Sequence, residues 1–82
     1  MENVFVLMEA NYGTKLIKCL SVHRTDKGAQ EAMAFLVDYV IGDDHHYVCK
    51  KTDAVTEIQY CDDDGKIRNV CRYYILQRTL VS

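Results

Sequence analysis

Between Val4 and Val40 the sequence spells strand, turn, strand and capped helix in unbroken order, and that order constrains the fold more than any other feature. Val4 to Met8 is a continuous apolar run of strand length. Glu9 to Gly13 carries turn chemistry, because Asn11 and Gly13 tolerate positive φ. Lys15 to Val22 alternates imperfectly, with Leu16, Leu20 and Val22 on one face and Ile17 and Cys19 on the other. The two runs are expected to close as an antiparallel hairpin.

Thr25 or Asp26 is a good helix N-cap. Asp26 and Glu31 fall in the early turns, where the helix dipole favours acids. Ala29, Met33, Leu36 and Val40 follow at spacings of four, three and four, and Ala32, Phe35 and Tyr39 widen the stripe. This pattern predicts one amphipathic helix with Met33, Leu36 and Val40 in the core and Gly42 as its C-cap.

Beyond the helix, Asp43 to His46 is a polar connector. Tyr47–Lys51 and Val55–Cys61 read as strands, the second with Thr56, Ile58 and Tyr60 on one side. Asp62-Asp63-Asp64-Gly65 is a turn signal whose Asp-Gly pair predicts a type I′ hairpin. Lys66 to Val81 is the returning arm. It is long for a strand, so a bulge, a bend or an overhang is expected. The expectation is a single α+β domain over residues 1–82, with an antiparallel sheet of four to five strands, ββαββ(β) order and one helix on one face.

Composition narrows the function classes. With 82 residues, 49% of them hydrophobic and 27% charged, the chain has the makeup of one globular domain and not of a disordered one. A net charge of −2 argues against a general nucleic-acid binder, which needs a basic footprint. The first residues lack the basic start and apolar run of a signal peptide, and no stretch has the length of a membrane span, so a cytoplasmic protein is expected. Cys19, Cys49, Cys61 and Cys71 lack C-x-x-C spacing, so reduced thiols are expected and neither a metal nor a cofactor.

The chemical motifs are sparse. The acidic run at Asp62 has the start of a calcium loop, but Lys66 and Tyr73 stand where ligands are needed. His45 and His46 are adjacent on an extended segment, where side chains alternate, so the two rings are expected to converge poorly. His23 has no recognisable partner in the sequence. Neither a nucleophile elbow nor a phosphate-binding glycine loop is present in the sequence. No catalytic residue is assigned.

The last arm is the exception. In strand register Arg68, Val70, Arg72, Tyr74, Leu76, Arg78 and Leu80 share one face. Arginine and tyrosine are the residue types enriched at interface hot spots. Arg68, Arg72, Tyr74, Leu76 and Arg78 are therefore the expected partner-binding residues. The competing reading is a solvated face whose arginines pair with Glu57 and the aspartates. The strands are apolar on both sides, and a single helix can cover only one, so the other is expected to meet a homodimer mate or a larger partner.

The stretch VFVLMEANYGTKLIKCLSVHRTDKGAQEAMAFL resembles the opening of small bacteriophage accessory proteins: a two-strand hairpin, a polar cap and an alanine-rich helix. The resemblance covers the first half of the chain and transfers no catalytic residue. It implies a phage or mobile-element product, of host-takeover or anti-defence type, acting on a host protein in the bacterial cytoplasm. The expected function is a non-enzymatic interaction module that inhibits a host protein by surface occlusion. The alternative is a small RNA-binding protein or ribonuclease using Arg68, Arg72 and Arg78 on phosphate. A purely structural homo-oligomer is a third possibility. Neither a membrane nor a nucleic acid is the expected partner.

Overall fold

The apolar run that begins at Val4 continues through the polar residues on either side of it and forms β1 (Glu2–Asn11) in the computed structural model, which describes residues 2–52 and 54–80. The chain turns over residues 12–15 into β2 (Leu16–His23). The turn thus lies later than Glu9–Gly13, and neither Asn11 nor Gly13 takes the positive φ; Lys15 does, at 60°. Asn11 shapes the turn through its side chain instead. Its Oδ1 accepts from the Thr14 amide at 3.0 Å, while its carbonyl accepts from Lys15 N at 2.8 Å.

Helix α1 (Asp26–Ile41) starts at Thr25, whose Oγ1 accepts from Gly28 N at 3.0 Å. Gly28 has a packing reason here: a Cβ at this position would lie 3.1 Å from Thr25 Oγ1. The helix ends at Gly42, with φ of 55° and its amide donating to the Asp38 carbonyl at 2.9 Å. β3 (Tyr47–Lys51), β4 (Val55–Cys61) and β5 (Ile67–Leu80) follow, with Val81 outside the described residues. The β4–β5 turn is not type I′. Gly65 alone has positive φ, at 81°, and Asp62 accepts from Gly65 N through its carbonyl and from the Asp64 and Lys66 amides through Oδ1. This is a three-residue loop closed by a left-handed glycine.

The five strands make one antiparallel sheet in the order β2-β1-β5-β4-β3. The central ladder therefore joins β1 to β5, the strands most distant in sequence. Helix α1 lies on one face. Its Met33 and Val37 pack with Leu7, Ile58, Cys71 and Tyr73, and Thr56 is buried in the same sheet face. Thr56, Ile58 and Tyr60 share one side of β4 as the alternation predicts. The slab measures 53 × 23 × 17 Å, and its thinnest axis has room for one sheet and one helix only.

The helix stripe is rotated from the sequence expectation. Ala29, Met33 and Val37 are the buried residues, while Leu36 and Val40 pack at the margin of the core. Phe35 and Tyr39 do not widen the stripe; they are 72% and 80% exposed. Phe35 stands two residues on from Met33, roughly 200° around the helix, and so points away from the sheet.

Two bulges redistribute the strand faces. In β2 the register passes from Leu7↔Ser21 to Met8↔Cys19, which leaves Leu20 without an opposite number. Ile17, Cys19 and Val22 therefore share the face away from the helix and Leu16 lies on the other, in contrast to the simple alternation. In β5 the register passes from Ile58↔Cys71 to Gln59↔Asn69, so Val70 is the extra residue. None of the described helices is long and apolar enough to cross a membrane.

Candidate functional site

The sheet face opposite the helix is assembled from Val6, Met8 and Ala10 of β1, Ile17, Cys19 and Val22 of β2, Arg72, Tyr74 and Leu76 of β5, and Val55 and Glu57 of β4. Their placement follows from pairing. Leu7, Cys71 and Tyr73 face the helix, so the residues between them in each strand face away. The helix leaves most of this face open among the described residues, although Val4 at its β1 end is buried. Ile17 and Val22 are 66% and 59% exposed.

At its centre lies a groove of about 410 Å³. Its floor is apolar: Ala10, Ile17, Val55, Tyr74 and Leu76. Tyr12 and Arg72 stand at its rim. Glu57 Oε1 accepts from both, from the Tyr12 hydroxyl at 3.0 Å and from the Arg72 guanidinium at 2.8 Å. Arg72, and then Tyr12, hold the Glu57 carboxyl below its usual range, and the Glu57 hydrogen bond raises the Tyr12 phenol. The clasp spans β1's end, β4 and β5, and fixes the direction in which the guanidinium presents its remaining donors.

Three of the five expected contact residues, Arg72, Tyr74 and Leu76, thus meet in one groove. Arg78 is on the same face by alternation but lies beyond the groove, its guanidinium donating to the Gln77 carbonyl at 3.1 Å. Arg68 does not join them. The Val70 bulge turns it to the helix side, where its guanidinium sits 4.9 Å over the Tyr60 ring. Of the arginine–carboxylate pairings that the competing solvated-face reading requires, only Arg72–Glu57 forms among the described residues. Tyr12, Ile17 and Val55 escaped the sequence reading. Glu57 as the cross-strand partner of Arg72 is the one signal that could have pointed to the rim.

A second cluster gathers at the far end of the sheet. His46 Nδ1 lies 2.6 Å from Asp44 Oδ1 and its Nε2 lies 2.7 Å from Asp63 Oδ1, across the β4–β5 turn. The His46 amide also donates to Asp44 Oδ1 at 2.9 Å. Contrary to the alternation argument, His45 and His46 converge, with their rings stacked at 4.3 Å; the connector is a turn and not a strand at this point. Tyr60 also stacks with His46, at 5.3 Å. The Asp63 carboxylate, then that of Asp44, raises the His46 imidazole's affinity for its proton.

His23 does have a partner, Ser21 Oγ at 2.7 Å from Nε2. All four cysteines are unpaired, and burial pushes the Cys71 thiol up, away from nucleophilic use. Comparison of the chain with family models, with curated proteins and with solved structures finds no match in any of the three.

Proposed function

We propose that this chain is a non-enzymatic protein-interaction module that inhibits a partner protein by covering part of its surface, and that the uncovered sheet face is the contact. The observation that carries this reading is the groove: an apolar floor spread over four strands, with the Arg72–Glu57–Tyr12 clasp at its rim. Such a site matches the anatomy of an interface, with aromatic and aliphatic anchors at the centre and a positioned arginine at the edge. The phage-like opening of the sequence suggests that the partner is a host protein. A second copy of the chain is the other occupant of the same face.

The arginine stripe behind the RNA-binding alternative is divided. Arg68 faces the helix side, Arg72 lies on the open face paired with Glu57, and Arg78 lies on that face beyond the groove. That division favours the protein partner.

The test is affinity capture from a bacterial lysate, with light scattering on the isolated chain. Wild type is expected to retain a discrete protein or to form dimers, and Tyr74→Ala with Leu76→Ala to lose whichever occurs. Retention of the same partner by the double variant, or a strictly monomeric wild type that retains nothing, would move the contact off this face.

A further inference from the structure

We infer that Asp44, His45 and His46 form a binding site for a borderline divalent transition-metal ion such as Zn²⁺ or Co²⁺, with Asp63 as the carboxylate that orients His46. This site shares no residue with the groove and stands independently of the interaction reading.

One ligand atom from each of Asp44, His45 and His46 lies within 4.8 Å of the others. Nitrogen and carboxylate donors in this number suit Zn²⁺, Co²⁺ and Ni²⁺, whereas Mg²⁺ and Ca²⁺ take oxygen ligands. Three protein ligands leave the remaining positions to water, as in zinc sites that keep one position open.

The fourth residue gives the cluster its direction. A metal-bound histidine commonly donates its other ring N–H to a carboxylate, which fixes tautomer and ring orientation. Asp63 is placed to do this from a separate element, the β4–β5 turn, 2.7 Å from Nε2. With the proton held at Nε2, the Nδ1 lone pair faces Asp44, and His45 is stacked alongside. Tyr60 also stacks on the His46 ring, at 5.3 Å. Asp44 is itself fixed by the His46 backbone amide.

The adjustment between Asp44 and His46 is small, whereas His45, its ligand atom within 4.8 Å of theirs and its ring stacked on His46, must turn toward the ion. Two ligands at tetrahedral angles around Zn²⁺ stand about 3.4 Å apart, given metal–ligand bonds of about 2.0–2.2 Å. The Nδ1–Oδ1 separation of 2.6 Å must therefore open by about 0.8 Å. Both side chains are partly exposed, so the ion can reach the pair from solvent. The ion enters between the Nδ1 lone pair and the Asp44 carboxylate, while the Nε2 proton stays in its hydrogen bond to Asp63.

The test uses the untagged full chain. Calorimetric titration with Zn²⁺ and visible spectra with Co²⁺ should show one ion per chain, with a raised melting temperature, and Mg²⁺ should do neither. His45→Ala and His46→Gln should each weaken binding by more than Asp63→Asn, whose loss should be about 10–100-fold. Asp63→Glu should restore part of that loss, and the metal-free variants should melt near wild type. The absence of a saturable one-ion stage would overturn the assignment. So would unchanged affinity in folded His46→Gln, or a thiolate charge-transfer band that places Co²⁺ on the cysteines.

Discussion

One sheet carries two faces of nearly equal apolarity and very different fates. On the helix side Leu7, Met33 and Ile58 are sealed, and Cys71 and Tyr73 are nearly so. On the other side Val6, Met8, Tyr74 and Leu76 are half-buried, and Ile17 and Val22 stand in solvent. The strands do not distinguish the two; the one helix does. Burial of a large aliphatic side chain stabilises by roughly 1.5–3 kcal/mol, so the covered face supplies the fold's stability. The open face keeps apolar surface that a further molecule can still remove from water. The comparison therefore assigns folding to one side of each strand and leaves the other side free for the proposed contact.

The strongest way to break this division is to hollow out the covered side. Met33→Ala should cost about 2–5 kcal/mol in urea unfolding, a large share of a small domain's stability. Leu36→Ala, at the margin of the core, should cost less; equal losses would mean that the helix sits differently on the sheet. On the open side Tyr74→Ala should weaken partner binding or dimerisation by about 2 kcal/mol or more, measured by calorimetry or by concentration-dependent scattering. If the same substitution destabilises the isolated chain as much as Met33→Ala does, the two faces are not functionally separate.

Thr56 sharpens the comparison from within the core. Its hydroxyl is buried without a hydrogen-bond partner among the described residues. Thr56→Val should raise stability by about 1 kcal/mol, since it removes an unsatisfied polar group and keeps the β-branched shape. On the outer side of the helix Phe35→Ser should shift stability by less than about 0.5 kcal/mol in the same assay, as befits an exposed position.

The smallest effect concerns the clasp. Arg72 and Tyr12 hold the Glu57 carboxyl below its usual range in the folded state. Its contribution is then fully present above the unfolded carboxylate value of about 4.3 and is lost as pH falls through the lower folded value. Wild type should lose more stability than Glu57→Gln on acidification below about pH 4.3, and added salt should shrink the difference because these side chains are exposed. Equal acid titrations of the two proteins would show that the clasp does not form.

Much of the fold was readable because the chain marks its own boundaries. Thr25 and Gly42 bracket the helix, and polar turns bracket Tyr47–Lys51 and Val55–Cys61, where the strands lie as expected. The errors share one cause, which is that a neighbour decides. Leu20 and Val70 become bulges because β1 and β4 set the pairing, and each bulge reverses the alternation beyond it. Arg68 left the expected contact surface for this reason. Val37 outranks Leu36 and Val40 because the sheet selects which part of a broad apolar stripe to bury. Asp44, His45 and His46 are neighbours in the sequence, but the approach of Asp63 to His46 was not legible, because it lies 17 residues away and is delivered by a turn.

The strand order has a kinetic consequence. Thr79 Oγ1 donates to Asn3 Oδ1 across 76 residues, and the whole β1–β5 ladder joins segments at comparable separation. The β1–β2 hairpin and the β3–β4–β5 meander can each zip locally, but neither has a closed core until the two meet. Long-range closure of this kind slows folding, because loop entropy is lost before the contacts that repay it exist. During synthesis β1 must wait, with one backbone edge unpaired, for almost all of the chain to emerge. The interval between translation of Asn11 and arrival of Cys71 is therefore when this protein is most open to capture by a chaperone, a protease or another nascent copy of itself.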